Sequence, residues 1–339
     1  MLTKKSSEPQ SIALVLLCLM IAFLAACASA PTPTPTIPPG PTVAPMASTT
    51  QTLELVWNIH GDPNPLVVPI GIAVDSDGYV YVVDSGNERV QKFDRNGKFV
   101  TMWGFKGNGD GQFSFDGGGV IGIDTENNLY VGDNGNYRVQ KFDRNGKFLT
   151  KWGSPGSGEG QFGFITSLKI DRQNHVYVLD TDYHHVEVFD GSGKFLNRWG
   201  KKGYVDGTFY YESSLAIDSH GQIWIAGATS FPPSPLQVFD SNGKWLKGYN
   251  PGLVGNSVTQ FYEIIFDQQD NIYVSDQNNR RIVKFDSHGN WLGAWGGYGN
   301  QDGHFDKMEG IYVDKDGFIY VADRKNNNVQ KFRQASPQR

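Results

Sequence analysis

An eleven-residue segment, RVQKFDRNGKF, occurs twice without change, at Arg89–Phe99 and again at Arg138–Phe148. It belongs to a longer unit that recurs six times. In each copy an aspartate follows an aliphatic triplet, and a later phenylalanine keeps the same register. These anchors are Asp75, Asp124, Asp171, Asp218, Asp267 and Asp314, with Phe93, Phe142, Phe189, Phe239, Phe285 and Phe332. A spacing of 47–49 residues is typical of proteins that stack copies of one supersecondary unit.

Each copy contains four short apolar runs separated by turn residues, and this pattern predicts four β-strands. In the first copy the runs are GIAV, YVYVV, RVQKF and FVTMW. The sixth copy ends at KFRQASPQR and lacks a fourth run, but LELVWN at Leu53–Asn58 matches that run. An N-terminal strand that completes the last unit would close a ring and leave no open edge. The sequence therefore predicts an all-β, six-bladed β-propeller of four-stranded blades.

The unit GIAVDSDGYVYVVDSGNERVQKFD closely resembles the NHL repeat. The resemblance covers nearly everything from Leu53 to Phe332 and implies a six-bladed propeller closed by a terminal strand. We accordingly predict that residues 51–333 form the propeller. The Pro-x-Gly that usually precedes the first strand in this family is retained once, at Pro69–Gly71. The segments that replace it in the other copies are expected near the mouth of the central channel.

The first 27 residues have the pattern of an export signal. Lys4 and Lys5 precede an apolar run of about 15 residues, which suits a signal peptide and is too short to span a bilayer. The run ends in Leu24-Ala25-Ala26-Cys27, which resembles the lipobox of bacterial lipoproteins, and this resemblance implies acylation of Cys27. An ordinary signal peptide with a chance cysteine is the alternative. Residues 28–50 are rich in proline and threonine and predict an extended linker.

Composition excludes some function classes. The formal net charge is −5, and an acidic chain argues against binding the phosphate backbone of nucleic acids. Cys18 and Cys27 are the two cysteines. One lies in the segment that would be removed and the other would be lipidated, so the propeller itself is predicted to have no disulfide and no thiol chemistry.

A set of Asp, Asn and Arg recurs at the end of the second strand and the start of the third. Since a catalytic role would not need three copies, we interpret it as a structural lock in which arginine pairs with the carboxylate. The paired residues are Asp84 and Arg89, Asp133 and Arg138, and Asp276 and Arg281.

The third and fourth copies depart from this pattern. The third reads LDTDYHHVEVF, and the fourth, IAGATSFPPSPLQVF, has Gly227 in place of the aspartate. Loops on a rigid scaffold often carry function, although drift in an unconstrained blade would look the same. The candidate binding residues on this face and around the channel mouth are His184, His185, Lys169, Asp116, Glu212, Glu263 and Glu309. Aromatic residues before the first strands would either form a contact surface or fill the joints between blades; they are Phe113, Phe115, Phe164, Tyr210, Tyr211 and Tyr262.

Two enzyme classes are alternatives to a binding role. The peptidyl-hydroxyglycine amidating lyases resemble this fold and hold zinc with histidines, but only His184 matches a ligand position, and one imidazole is not a zinc site. The carboxylates Asp116, Glu212, Glu263 and Glu309 could bind a hard cation, as in lactonase-type propellers, or could simply be solvated. No metal site or cofactor is predicted.

These observations favour a lipid-anchored propeller on the outer face of a bacterial membrane that acts as a binding or assembly scaffold. Its partner would be a protein or a cell-envelope glycan, and no nucleic-acid partner is expected. A metal-dependent lyase or hydrolase with its site at the channel mouth is the alternative. Fold resemblance cannot choose between them, because one scaffold hosts many functions.

Overall fold

A computed structural model describes residues 52–227, 234–250 and 261–335. They belong to the compact unit Ser48–Arg339. The strands of the first three blades are β2 (Pro69–Val74), β3 (Val80–Asp84), β4 (Arg89–Phe93) and β5 (Phe99–Trp103); β6 (Val120–Ile123), β7 (Leu129–Asp133), β8 (Arg138–Phe142) and β9 (Phe148–Trp152); and β10 (Ile165–Ile170), β11 (Val176–Asp180), β12 (His185–Phe189) and β13 (Phe195–Trp199).

The other three blades follow the same order along the chain. Their strands are β14 (Glu212–Ile217), β15 (Ile223–Gly227), β16 (Leu236–Phe239) and β17 (Trp245–Tyr249); β18 (Phe261–Phe266), β19 (Ile272–Asp276), β20 (Arg281–Phe285) and β21 (Trp291–Gly296); and β22 (Met308–Val313), β23 (Ile319–Asp323) and β24 (Asn328–Gln334) with β1 (Leu53–Ile59). We number these sheets as blades I to VI. Among the described residues no helix is long and apolar enough to cross a membrane.

The six sheets form a ring around a central channel. In blades I to V the four strands pair in chain order, and each blade is antiparallel. The first strand of each blade contacts the first strands of its neighbours, so β2, β6, β10, β14, β18 and β22 line the channel. In blade VI the N-terminal β1 pairs with β24, with Leu53 opposite Gln334. The predicted all-β, six-bladed propeller is confirmed.

The ring has two different faces. The channel-lining strands begin at the upper face, where the loops from the second to the third strand of each blade also lie; Pro69 at the start of β2 pairs with Asp84 at the end of β3. The turns that join the first strand to the second and the third strand to the fourth form the lower face. The strand β1 begins at the lower face because Leu53 pairs with the last residues of β24.

The anchor aspartates build the lower-face turns. Asp75 Oδ1 accepts hydrogen bonds from the backbone N–H groups of Asp77 (3.0 Å) and Tyr79 (2.9 Å), and its Oδ2 accepts one from the Tyr81 hydroxyl (3.0 Å). A short side chain that caps its own turn explains why aspartate recurs at this position.

Neighbouring blades are held together by apolar side chains. Because each blade has a blade on either side, its middle strands are buried on both faces, as the fully buried Val80–Asp84 shows. Trp103 of blade I packs against Phe142 of blade II, with ring centroids 6.0 Å apart. The turn residue Gly146 has φ +85°, and a Cβ there would lie 2.6 Å from the Trp103 ring. Glycine is therefore needed for both its conformation and its small size.

The recurring Asp, Asn and Arg set joins the second and third strands at the upper face. Asp133 is fully buried and accepts hydrogen bonds from Arg138 Nε (2.8 Å), Asn136 Nδ2 (3.0 Å), Gln140 Nε2 (3.1 Å) and the Ser114 backbone N–H (2.7 Å). The equivalent ion pairs are Arg89 Nε–Asp84 Oδ2 at 2.7 Å and Arg281 Nε–Asp276 Oδ2 at 2.9 Å. In these three blades the arginine pairs with the buried carboxylate and so joins the two strands.

Candidate functional site

Several charged side chains interrupt the repeat where it meets the upper part of the channel, among them Lys169, Glu263 and Arg324. Lys169 lies two residues before its anchor aspartate, Glu263 lies four before, and Arg324 follows the aspartate that ends β23. Where the counterpart is described, the other blades have uncharged residues at these positions. These counterparts are Ala73, Gly122, Ala216, Ile265 and Tyr312 for Lys169; Gly71, Val120, Ser167, Ser214 and Gly310 for Glu263; and Ser85, Asn134, Thr181 and Gln277 for Arg324.

Lys169 and Glu263 meet inside the channel. Lys169 belongs to β10 of blade III and Glu263 to β18 of blade V, and their Nζ and Oε1 atoms are 2.8 Å apart. Burial raises the pKa of Glu263, while the Lys169 ammonium and a hydrogen bond from the Ser214 hydroxyl oppose that rise. The ion pair therefore crosses the channel. Forming it removes both charges from water and leaves them partly buried.

A second carboxylate lies beside this pair. Glu309, in β22, is 3 % exposed, and its Oε1 lies 2.9 Å from Lys307 Nζ and 3.4 Å from Arg324 Nη1. The Tyr262 hydroxyl also lies close to this carboxylate. Burial, followed by the charge of Glu309, raises the pKa of Tyr262, so the phenol remains a proton donor. Two cations and a hydroxyl thus converge on one buried carboxylate.

Lys169, Tyr262, Glu263 and Glu309 line a cavity of about 60 Å³ at the channel mouth. Its wall includes backbone and side chains from the start of the first strand in five blades, among them Gly71, Gly118, Thr166, Lys169, Glu263 and Glu309. A volume of this size holds a few water molecules or a small polar group. We call this cavity the channel well.

The lower opening of the channel differs in character. It is wider, about 530 Å³, and is lined by turn residues of blades III to VI. Its carboxylates are used within the turns and between blades: Asp218 accepts from Trp224 Nε1 (3.0 Å), Asp171 contacts His175 Nδ1 (2.8 Å), and Asp270 accepts from the Ser219 hydroxyl (2.5 Å). These carboxylates therefore stabilise the turns and the contacts between blades at this opening.

His184 and Glu212 form a separate pair between blades III and IV. His184 has φ +57°, and its Nδ1 lies 2.7 Å from Glu212 Oε1. Burial raises the pKa of Glu212, against the opposing effect of the imidazole. The same loop position also joins neighbouring blades elsewhere, since Glu88 accepts from the Phe115 N–H and Asn327 from the Val68 N–H. The His184–Glu212 contact is one of these bridges between blades.

Exposed tyrosines lie next to this bridge. The rings of Tyr204 and Tyr210 are 4.2 Å apart, those of Tyr210 and Tyr211 are 4.1 Å apart, and the His184 ring is stacked on Tyr210 at 6.3 Å. Tyr204 and Tyr211 are 59 % and 61 % exposed. This tyrosine cluster offers contact area at low entropic cost, because tyrosine has few rotatable bonds.

Other aromatic residues of the approach segments have a structural role. Phe113 and Phe115 are fully buried and stacked on each other at 4.8 Å between blades I and II. The interpretation as joint-filling residues holds for these two, and the contact-surface interpretation fits Tyr211.

The structure separates the remaining candidate residues. His185 is buried, and burial lowers its pKa to about 4, so its 3.8 Å contact with Glu187 is not an ion pair at neutral pH. His185 therefore does not belong to an open face, contrary to the prediction. Asp116 is exposed at the rim and lies 3.3 Å from the Ser114 hydroxyl.

The four candidate carboxylates do not form a cation site. Glu263 and Glu309 each face a basic side chain in the well, Glu212 faces His184, and Asp116 lies at the rim. In the described part of the chain, no three His, Cys, Asp or Glu side chains are arranged to hold a metal ion. The substituted part of blade IV between Gly227 and Ser234 lies outside the described residues.

Comparison with known protein families agrees with this architecture. The model of the NHL repeat matches residues 66–93 and 305–332, in blade I and blade VI. A model described as a 6-bladed beta-propeller matches residues 119–184, across blades II and III. The chain is an NHL-repeat β-propeller.

Relatives of this NHL propeller include the E3 ubiquitin-protein ligase TRIM71 of Gallus gallus, which is 31 % identical over 98 residues. That match covers 27 % of this chain and 10 % of the ligase. Among solved structures, virginiamycin B lyase from Staphylococcus aureus has a TM-score of 0.58 at 11 % identity, covering 84 % of this chain and 100 % of the lyase. A gluconolactonase from Xanthomonas campestris has a TM-score of 0.59 at 12 % identity, covering 85 % and 92 %. At such identities the likeness shows the fold alone.

Tyr262 in the well and Arg324 beside Glu309 were not predicted from the NHL propeller's sequence as polar site residues. Arg324 carried a usable signal, because it is the charged residue at a position where the described counterparts are uncharged. Tyr262 was considered only as an aromatic contact. Its hydroxyl reaches Glu309 on the next blade, a contact that depends on the arrangement of the ring.

Proposed function

We propose that this NHL propeller is a binding scaffold of the bacterial cell envelope that engages a protein or an envelope glycan through its upper face. The observation that carries the proposal is the convergence of Lys169, Glu263 and Glu309 on one well. Each replaces an uncharged residue of the repeat, and the three come from blades III, V and VI.

The other copies of the repeat show which residues the fold itself requires at these positions. Blades close equally well with alanine, glycine or serine at these positions, as the other copies show. Desolvating a charge costs several kcal/mol, and an ion pair seldom recovers more than that cost. The charges in the well are therefore not required by the fold, and a ligand gives them a function.

We propose that Cys27 is lipidated and that residues 28–50 form a spacer. The described chain enters the propeller at the lower face, where β1 begins.

Lipidation is tested by replacing the cysteine. In a bacterial host, Cys27→Ser is expected to move the protein from the membrane fraction to the soluble fraction, because acyl chains provide the membrane affinity. Cys18→Ser is the matched control and should leave the distribution unchanged. Retention of Cys27→Ser in carbonate-washed membranes would contradict the lipid anchor.

The binding role is tested by crosslinking from the two faces. A photoreactive phenylalanine analogue at Tyr211, exposed on the upper face, is expected to give a discrete adduct in cells. The same analogue at Asn145, exposed in a lower-face turn, is the matched control and should give none. The Tyr211 adduct should disappear when Lys169→Met and Glu263→Met are combined. An adduct that forms only from Asn145, or that persists in the double variant, would argue against ligand binding at the well.

A further inference from the structure

The wall of the channel well has an apolar side and a polar side. In the layer five residues before the anchor aspartate, blades I and II contribute Ile70 and Gly119, and blades III, V and VI contribute Thr166, Tyr262 and Glu309. The apolar side offers hydrocarbon contacts, and the polar side offers hydroxyl and carboxylate groups that can orient a ligand. A group that enters this well must therefore present both a C–H surface and a hydrogen-bonding atom.

The charges of the described wall already have partners. The charged side chains that line it are Lys169, Glu263 and Glu309, and Lys169 Nζ lies 2.8 Å from Glu263 Oε1. Glu309 Oε1 lies 2.9 Å from Lys307 Nζ and 3.4 Å from Arg324 Nη1, two cations that do not belong to the lining. A ligand carboxylate would approach Glu263 and Glu309, and a ligand ammonium would approach Lys169. An uncharged group avoids a like charge at short range in both cases.

The hydrogen-bonding atoms of the well include both donors and acceptors. Thr166 Oγ1 is buried and, among the described residues, has no hydrogen-bond partner. An ammonium carries three N–H donors and a carboxylate accepts several hydrogen bonds, so Lys169 and Glu263 can each engage a ligand while they keep their own contact. A hydroxyl group matches this set, because it both donates and accepts. It can accept from Lys169 and at the same time donate to Glu263 or to Thr166.

From these contacts we infer that the well binds an uncharged hydroxyl-bearing group of an envelope glycan, the hydroxymethyl group of a terminal hexose. This inference rests on the proposed binding function and selects the glycan over the protein as the ligand. A hydroxymethyl group joins one methylene to one hydroxyl, so it matches a well of about 60 Å³ that has one apolar and one polar side. Phe164 also lines the well and adds an aromatic surface for the C–H groups of the sugar ring.

A serine side chain carries the same group but suits the well less. Its hydroxymethyl is attached directly to a peptide backbone, and the N–H and C=O groups of that backbone would lose water at the rim without a partner. The hydroxymethyl of a terminal sugar extends from the end of a ring and leaves the other hydroxyls in solvent. The glycan is therefore the ligand that we propose, and a serine is tested against it.

The experiment is a calorimetric titration of the unit Ser48–Arg339, which contains all six blades. The probes are methyl glucoside, methyl galactoside and methyl mannoside, each paired with the pentoside that lacks only the hydroxymethyl group, together with N-acetylserinamide. We expect one hexoside to bind at one site and its pentoside to bind about tenfold more weakly, the value of one hydrogen bond to a charged group. The matching uronide and 6-amino sugar place a carboxylate or an ammonium at the same position. Both should bind more weakly than the hexoside, because each meets a like charge.

Two variants test which side chains hold the hydroxyl. Since Thr166 Oγ1 bonds to none of the described residues, Thr166→Val should fold as the parent does and bind the hexoside about tenfold more weakly. The combined Lys169→Met and Glu263→Met variant removes both members of the ion pair, so it should fold and lose at least as much affinity. Thr150→Val is the matched control, because Thr150 lies in the outermost strand of blade II, and it should bind as the parent does.

The outcomes separate this inference from the proposed function. Equal binding of a hexoside and its pentoside, tighter binding of the uronide or the amino sugar, or full affinity in Thr166→Val overturns the hydroxymethyl site. Binding of N-acetylserinamide in place of every hexoside assigns the well to a protein side chain and overturns the glycan. If no probe binds while the Tyr211 crosslink still forms in cells, the inference fails and the scaffold proposal stands. If the crosslink is absent as well, both fail.

Discussion

Replacing Asp133 by alanine is expected to lower the free energy of unfolding by about 3–5 kcal/mol. The carboxylate is fully buried and accepts hydrogen bonds from Arg138, Asn136, Gln140 and the Ser114 backbone. Its removal leaves the buried Arg138 guanidinium without its counter-charge and takes one acceptor from each of these donors in blade II. The measurement is equilibrium unfolding in urea, followed by tyrosine and tryptophan fluorescence.

Asp110→Ala is the matched control for this prediction. Asp110 lies in the loop that leads into the same blade, and its carboxylate is 2.6 Å from Lys151 Nζ, but these side chains are 56 % and 41 % exposed. Exposed ion pairs of this kind contribute about 0.2–1 kcal/mol. If Asp133→Ala were as mild as Asp110→Ala, the Asp–Arg set would not be a structural lock.

Replacing Glu187 by glutamine is expected to stabilise the propeller, by about 2–3 kcal/mol above pH 7. Glu187 is fully buried in β12, at a position where four other blades have glutamine. In blade II, Gln140 accepts from the Gly111 N–H and donates to the Gln112 carbonyl and Asp133. Glu187 keeps the first contact, through Gly160, but its Oε1 has no hydrogen-bond partner. The amide would restore the missing donor.

The effect should depend on pH. Burial is the largest cause that raises the pKa of Glu187, from its ordinary value of 4.5 to about 7, against the smaller effects of the Gly160 N–H and Arg198. The folded state therefore holds this proton more tightly than the unfolded state. The resulting stability is fully present below pH 4.5 and is lost as the pH rises through 7. Glu187→Gln should accordingly differ most from the parent above pH 7 and least near pH 4.5.

The reverse substitution is the control for Glu187. Gln140→Glu places a carboxylate beside buried Asp133, so it should destabilise blade II with the same direction of pH dependence. Urea unfolding at pH 5 and pH 8 measures both variants. A Glu187→Gln variant whose stability relative to the parent does not change between these pH values would show that Glu187 does not titrate in the folded state.

The strands were predictable because the signal for them is local and repeated. The segment RVQKF predicts a strand in each copy, and it forms β4 and β8 with those bounds. The turn aspartates and glycines act through contacts within a few residues, as Asp75 does with Tyr79. Six copies make such short-range signals consistent along the chain.

The candidate site was predictable only as a set of separate residues. Lys169, Glu263 and Glu309 were selected because they depart from the repeat or lie near the channel mouth, and the structure brings them to one well. Their pairing could not be predicted, because Lys169 and Glu263 lie 94 residues apart. His184 and His185 are neighbours in sequence, yet the left-handed loop conformation of His184 directs it to Glu212 while His185 enters a buried strand.

The sequence by itself determined the number and kind of blades, because hydrophobic periodicity and turn chemistry act over short distances and were repeated six times. The signal segment, the linker and the lipid anchor at Cys27 stay predictions from the same source. Only the tertiary structure decided which charges meet. Ring geometry brings the first strands of distant blades to a common axis, and the charge of Lys169 is then balanced by whichever side chain crosses that axis, here Glu263.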